Sequence, residues 1–224
     1  HVTGVQTCAL PIFKPGDAVM DFSPGGGYFT RIFSKIVGTK GRVYAFAPLT
    51  GPAPWSQAAI GAAKAQGRTP RNPIAGALAI QHIKDYENVT ALLGGVSGYG
   101  GSVGVPEQLD MVWTSDNYHD FKNASNGPLD MVAINKAFFR DLKPRGIYMV
   151  VDHASAPGTG FTQTQALHRA DPEAVKQEVL AAGFEFVGES KVLANPADDH
   201  AVGVRSEEHT SELQSRETIS YAVF

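Results

Sequence analysis

Short apolar runs alternate along this chain with longer segments of helical spacing. Lys14-Pro15-Gly16-Asp17 is turn chemistry, and Ala18 to Phe22 then reads as a buried strand ended by Ser23-Pro24-Gly25-Gly26-Gly27. From Tyr28 to Val37 the apolar positions 29, 32, 33, 36 and 37 follow a helical period, with Gly38 placed to end the helix. Arg42 to Ala47 predicts a second strand, stopped by Pro48. Residues 49–80, rich in Ala, Gly and Pro, predict a loop with one or two helices, and Asn88 to Leu93 a third strand. Gly94 to Gly104 holds six glycines in eleven residues and reads as a flexible loop. Leu109 to Ser115 predicts a fourth strand, Pro128 to Leu142 a helix, Lys143-Pro144-Arg145-Gly146 a turn, and Ile147 to Val151 a fifth strand. The fifth is nearly all apolar, as in a strand covered on both faces. Asp171-Pro172 opens a helix that Gly183 closes, and Phe184 to Leu193 alternates as a sixth strand.

Strands alternating with helices predict an α/β fold, a doubly wound, mostly parallel sheet. In such a sheet ligands bind beyond the carboxyl ends of the strands, so the turn after the first strand is the first place to look. Gly25, Gly26 and Gly27 let a ligand approach the backbone, and the helix starting at Tyr28 adds its dipole.

Composition narrows the class of protein. The 224 residues carry 19 Lys and Arg against 22 Asp and Glu, a formal charge of −3, which argues against a nucleic-acid binder relying on bulk positive charge. No apolar run approaches the ~18 residues of a membrane-spanning helix. The two ends stand apart from the rest. Residues 1–12, HVTGVQTCALPI, and 205–224, RSEEHTSELQSRETISYAVF, both resemble translated sequencing-adapter sequence, leaving 13–204 as the expected natural domain, truncated at both ends. Cys8, the single cysteine, lies in the first of these segments, so residues 13–204 hold neither a disulfide nor a thiolate metal site.

The position of the acid selects among cofactors. A dinucleotide site begins with glycine as the strand ends and carries its acid at the second strand. Here Asp21 closes the first strand, the glycines follow it, and the second strand ends on Ala47. NAD fits poorly. Asp21-Phe22-Ser23-Pro24-Gly25-Gly26-Gly27 resembles instead the first motif of class I S-adenosylmethionine-dependent methyltransferases. The strings MDFSPGGGYFTRIFSKIVGTKGRVYAF, LDMVWTSDNYHDF, LKPRGIYMVVDHA and LHRADPEAVKQEVLAAGFEFVGES are similar, more particularly, to a bacterial group of predicted methyltransferases, over nearly all of 13–204. The resemblance implies a Rossmann-like methyltransferase fold with S-adenosylmethionine as cofactor. It places Gly25, Gly26 and Gly27 along the methionine part of the cofactor and Asp21 near its amino group. Two positions depart from the pattern. Ser23 replaces the usual first glycine, and Ala47 stands where many of these enzymes place an acid for the ribose, a charge-assisted bond worth about 1.5–3 kcal/mol.

Asn117-Tyr118-His119-Asp120 follows the fourth strand and would border the transferred methyl group. Asn117 would orient a nucleophile, Tyr118 stack on it or cover it, and His119 remove a proton near neutral pH, with Asp120 fixing its tautomer. Asp152 and His153, after the fifth strand, and His168 and Arg169, ahead of the next helix, are expected to line the substrate side, the last two as an anion site. No metal is assigned. His119, Asp120, Asp152 and His153 offer suitable ligand types, but adjacent positions usually diverge in direction. Asn195-Pro196-Ala197-Asp198 reads as turn chemistry.

The expected activity is therefore direct methyl displacement onto a small molecule, with neither a nucleic-acid partner nor a membrane span. A degenerate, non-catalytic domain competes on the strength of Ala47, and an NAD-linked oxidoreductase lacks the acid that position 47 would need. Methyltransferases of this class finish with an antiparallel strand inserted between the fifth and sixth. No candidate lies between Leu193 and Val204, so the natural strand is expected to be missing and the apolar tail Thr218 to Phe224 to stand in for it.

Overall fold

The computed structural model describes residues 13–49, 56–67, 72–94, 102–123, 129–204 and 219–223. Most of the glycine-rich run and most of both terminal segments lie outside these. Strands β1 (Ala18–Phe22), β2 (Arg42–Pro48), β3 (Val89–Gly94), β4 (Leu109–Ser115), β5 (Leu142–His153), β6 (Gly188–Ser190) and β7 (Ile219–Val223) form one sheet in the order β3-β2-β1-β4-β5-β7-β6. β3 to β5 along this order are parallel, and β7 runs antiparallel to both of its neighbours. The strand order reverses between β1 and β4, the switch point at which such sheets bind ligands.

The period of two along each strand explains the two layers. Met20, Phe22, Tyr44, Phe46, Val112, Tyr148 and Val150 point to one face, where α4 (Met131–Asp141) and α6 (Pro172–Leu180) cover them. Val19, Val43, Ala45, Ala47 and Met111 belong to the other, packed under α1 (Tyr28–Val37) and α3 (Ala75–Gln81). α2 (Gln57–Ala65) follows β2, and a short α5 (Thr164–Leu167) follows β5. α4 starts later than the pattern suggested, because Asp130 caps it by accepting from Ala133 N at 3.0 Å.

Three expectations need correction. Residues 143–146 are not a turn but part of β5, whose register against β4 shifts between Leu109 and Met111, with Arg145 at φ 70°. A bulge absorbs the same turn-forming residues without ending the strand. The sixth strand shrinks from Phe184–Leu193 to Gly188–Ser190, the three residues that β7 pairs. Alternation alone could not show how little partner was available. Third, Asp198 does far more than make a turn. Arg169, fully buried, donates to both Asp198 carboxylate oxygens (2.9 and 3.1 Å), to Ala154 O (2.7 Å) and to Val202 O (2.9 Å). These bonds take four of the five guanidinium donors and strap residues 198–202 to the end of β5, and the fully buried Arg169 presents no face to a substrate anion. Residues 201–204 form no strand; Ile219–Val223 occupies the slot between β5 and β6.

Removing one partner of a buried ion pair leaves the other charge uncompensated, at a cost of about 3–5 kcal/mol. Arg169→Met should lower the unfolding free energy by that amount in denaturant titrations. Arg169→Met with Asp198→Leu should recover part of the loss; equal stability of the single variant and the parent would contradict the strap.

Candidate functional site

β1 delivers Asp21 to the sheet's carboxyl end, where it is 3% exposed and accepts from Thr30 Oγ1 at 2.5 Å. Burial raises its pKa against the opposing pull of the Thr30 hydrogen bonds, and the net effect takes it from 3.8 to about 6. Thr30 was not legible as a site residue. It lies in the first turn of α1, where side chains lean back toward the helix start.

Ser23 takes a left-handed conformation, φ 64°, the region for which glycine is the usual residue. Asn117 reaches across from the turn after β4 to hold it. Its Nδ2 donates to Ser23 O at 3.1 Å and to Ser115 O, and its Oδ1 accepts from Ser23 Oγ at 3.3 Å. The serine departure thus carries its own support. Gly25 and Gly27 also have positive φ, 52° and 77°. Gly27 precedes α1, whose first turn no side chain caps, and Tyr28 stands 69% exposed beside it.

α3 closes on this turn from the far side. A Cβ on Gly76 would meet Gly25 O at 2.7 Å, so only glycine permits the approach. Between Ser23, Gly25 and Gly26 on one side and Asn72, Pro73 and Gly76 on the other lies a cleft of about 550 Å³. Gly26 has open space where a side chain would stand. A small-molecule ligand fits such a volume. Ala47 is buried in the apolar cluster with Ile74 and Ala77, so its side chain offers no polar contact to a ligand.

At the end of β4, Tyr118 and His119 part company. Tyr118 is fully buried, donates to Glu178 Oε2 (2.6 Å), accepts from Asn135 Nδ2 (3.0 Å) and packs on Phe161. It ties β4 to α4 and α6 and does not cover a substrate. Burial, ahead of the nearby Tyr148 and Glu178, drives its pKa far above the ordinary phenol range. His119 is held by Asp152, not by Asp120 as the sequence suggested. Asp152 Oδ1 lies 2.7 Å from His119 Nδ1, and Oδ2 accepts from the His119 backbone N–H at 2.7 Å. A carboxylate at this place favours the Nδ1–H tautomer and leaves Nε2 facing Asp120. Burial alone would lower the pKa of His119, but the Asp152 carboxylate, with Asp120 and Asp116, raises it overall.

Asp120 sits on the other side of the ring, 3.5 Å from Nε2, and accepts from Asn123 Nδ2 at 2.9 Å. His168 Nδ1 stands 3.5 Å from the same Asp120 oxygen, its ring edge-on to His119. His153 is buried next to Asp152 with Nε2 3.7 Å from Asp116 Oδ1, away from this group. Of the five non-glycine residues with positive φ among the described residues, Ser23, Asp116 and His168 lie here. Such strain persists where surrounding contacts hold it, and it gathers at functional sites.

No family model matches the chain, and no curated protein matches it at a significant level. Solved structures do. A SAM-dependent methyltransferase from Aquifex aeolicus is 16% identical and aligns over 94% of this chain and 83% of its own, with a TM-score of 0.53. Aeropyrum pernix fibrillarin, with natively bound S-adenosyl-L-methionine, is 14% identical over 95% and 68%, at 0.52. The [4+2]-cyclase SpnF is 12% identical over 95% and 75%, at 0.59. The chain has the Rossmann-like methyltransferase fold. At these identities the likeness is one of fold, and a cyclase among the neighbours shows that this fold serves more than one chemistry.

Within the methyltransferase fold, two titrations test the local geometry. Asp21 is more easily protonated folded than unfolded, so its contribution is full below pH 4 and is lost as pH rises through 6. The loss amounts to about 3 kcal/mol. Asp21→Asn should flatten that part of the stability–pH curve; an unchanged slope would show that Asp21 is not desolvated. Asp152→Asn removes the charge that raises the His119 pKa and leaves the burial that lowers it. The imidazole should then titrate at lower pH by NMR, and an unmoved titration would break the pairing.

Proposed function

We propose that this chain is an S-adenosylmethionine-dependent methyltransferase acting on a small molecule by direct displacement. One observation carries the reading: Asn117 bonds the glycine turn through Ser23 and stands two residues before the Asp152-held His119, so one short segment after β4 serves both the ligand turn and the proton acceptor. The cofactor, when bound, supplies a sulfonium-activated methyl group. Gly25 and Gly26 would hold its methionine portion in the cleft, with the Asp21 carboxylate beneath the turn. Ala47 removes one ribose contact, which weakens affinity by one to two powers of ten on the magnitude of a charge-assisted bond.

The chain's own residues then have two tasks. Asn117 and the turn fix where the ligand lies, and alignment is the larger contribution to methyl transfer. His119 Nε2 accepts the proton that a hydroxyl, amine or thiol nucleophile gives up, leaving a cation stabilised by Asp152. Tyr118, Arg169 and His153 do not take part. Against an NAD-linked oxidoreductase stands the buried, apolar position 47.

Calorimetric titration with S-adenosylhomocysteine tests the reading, with NAD as the control ligand. Gly26→Leu should fold, because its side chain would enter open space, yet should abolish binding by filling the cleft. A folded parent chain that fails to bind S-adenosylhomocysteine, or a Gly26→Leu variant that binds it equally well, would overturn the assignment.

A further inference from the structure

We propose that His119, Asp120 and His168 form a site for one divalent transition-metal ion, zinc or iron(II). Their ligand atoms all lie within 4.8 Å of one another. The Asp120 oxygen is 3.5 Å from His119 Nε2 and 3.5 Å from His168 Nδ1. Zinc bonds to nitrogen and oxygen are about 2.0–2.2 Å, so two ligands at a tetrahedral angle stand about 3.4 Å apart. Both separations match that edge. Two imidazoles and one carboxylate are the donor set that zinc and non-haem iron accept with positions left open.

The neighbouring residues favour a metal site over a chance cluster. A ligating histidine usually passes its other N–H to a carboxylate, and His119 Nδ1 does so to Asp152. A ligating carboxylate is usually hydrogen-bonded as well, and Asp120 accepts from the buried Asn123. His168 adopts φ 54° at the end of α5, a conformation uncommon for a residue with a side chain, and this turns its ring to the group. His119 and Asp120 converge despite being adjacent because Asp120–Lys122 is a 3₁₀ turn that begins at His119. The buried His119 closes one side, while Asp120 and His168 are about one-third exposed, leaving the other side open to a further ligand. An ion and a proton compete for the same Nε2 lone pair. With the ion bound, His119, Asp120 and His168 would hold it and it would supply Lewis-acid activation of a hydroxyl or thiol; without it, Nε2 remains the proton acceptor.

The full chain, stripped with a chelator and dialysed, should bind one equivalent of zinc by calorimetry. Cobalt(II) should give visible d–d bands that zinc displaces. His168→Ala, at a half-buried position, should keep the fold by circular dichroism and lose at least tenfold in zinc affinity. Asp152→Asn should lose 10–100-fold, and His82→Ala, at the exposed end of α3, should bind as the parent does. A parent chain that takes up no zinc, or a His168→Ala variant with parental affinity, would overturn the site. S-adenosylhomocysteine binding by His168→Ala, measured alongside, keeps failure of the metal site separate from failure of the methyltransferase reading.

Discussion

The Asp152 carboxylate couples the ends of the two central strands. It leaves β5 buried, accepts from the His119 ring, the His119 backbone and the His153 backbone, and so fixes where the chain goes after β4. A carboxylate removed from water at this depth requires such partners, since an unpaired buried charge is costly. Everything the site does with His119 follows from that requirement. The imidazole has one orientation, with Nδ1 on Asp152 and Nε2 facing Asp120.

Two further constraints set the cleft beside it. Ser23 occupies a backbone conformation normally left to glycine, and Asn117 holds it there from the turn after the neighbouring strand. Gly76 lets α3 approach the turn more closely than any side chain would permit. The turn is therefore clamped from both directions, by an amide from the segment after β4 and a helix backbone from the β2–β3 connection. A ligand bound there, as proposed, would meet a preorganised backbone, whose ordering cost was met on folding.

Candidate residues divided according to where their partners lie. The placement of Asp21, the glycines and the helix start was legible because the acid, the turn and α1 are contiguous, and their local geometry is decided within about ten residues. Tyr118 and Arg169 look like pocket residues in the sequence, yet Tyr118 meets Glu178 sixty residues on and Arg169 meets Asp198 twenty-nine residues on. Asp198 itself sits in a string whose Asn and Pro announce only a turn. His168 was visible, but its convergence with Asp120 depends on how α5 packs on the 3₁₀ turn.

By itself the sequence determined the α/β alternation, the glycine turn and the absence of an acid at position 47, because periodicity and turn chemistry act between near neighbours. Tertiary structure decided which carboxylate holds His119, which polar residues serve the core and which two imidazoles meet over Asp120. Those outcomes depend on tertiary packing, which brings residues 29 to 60 positions apart into hydrogen-bond range, and local pattern carries no record of such pairing.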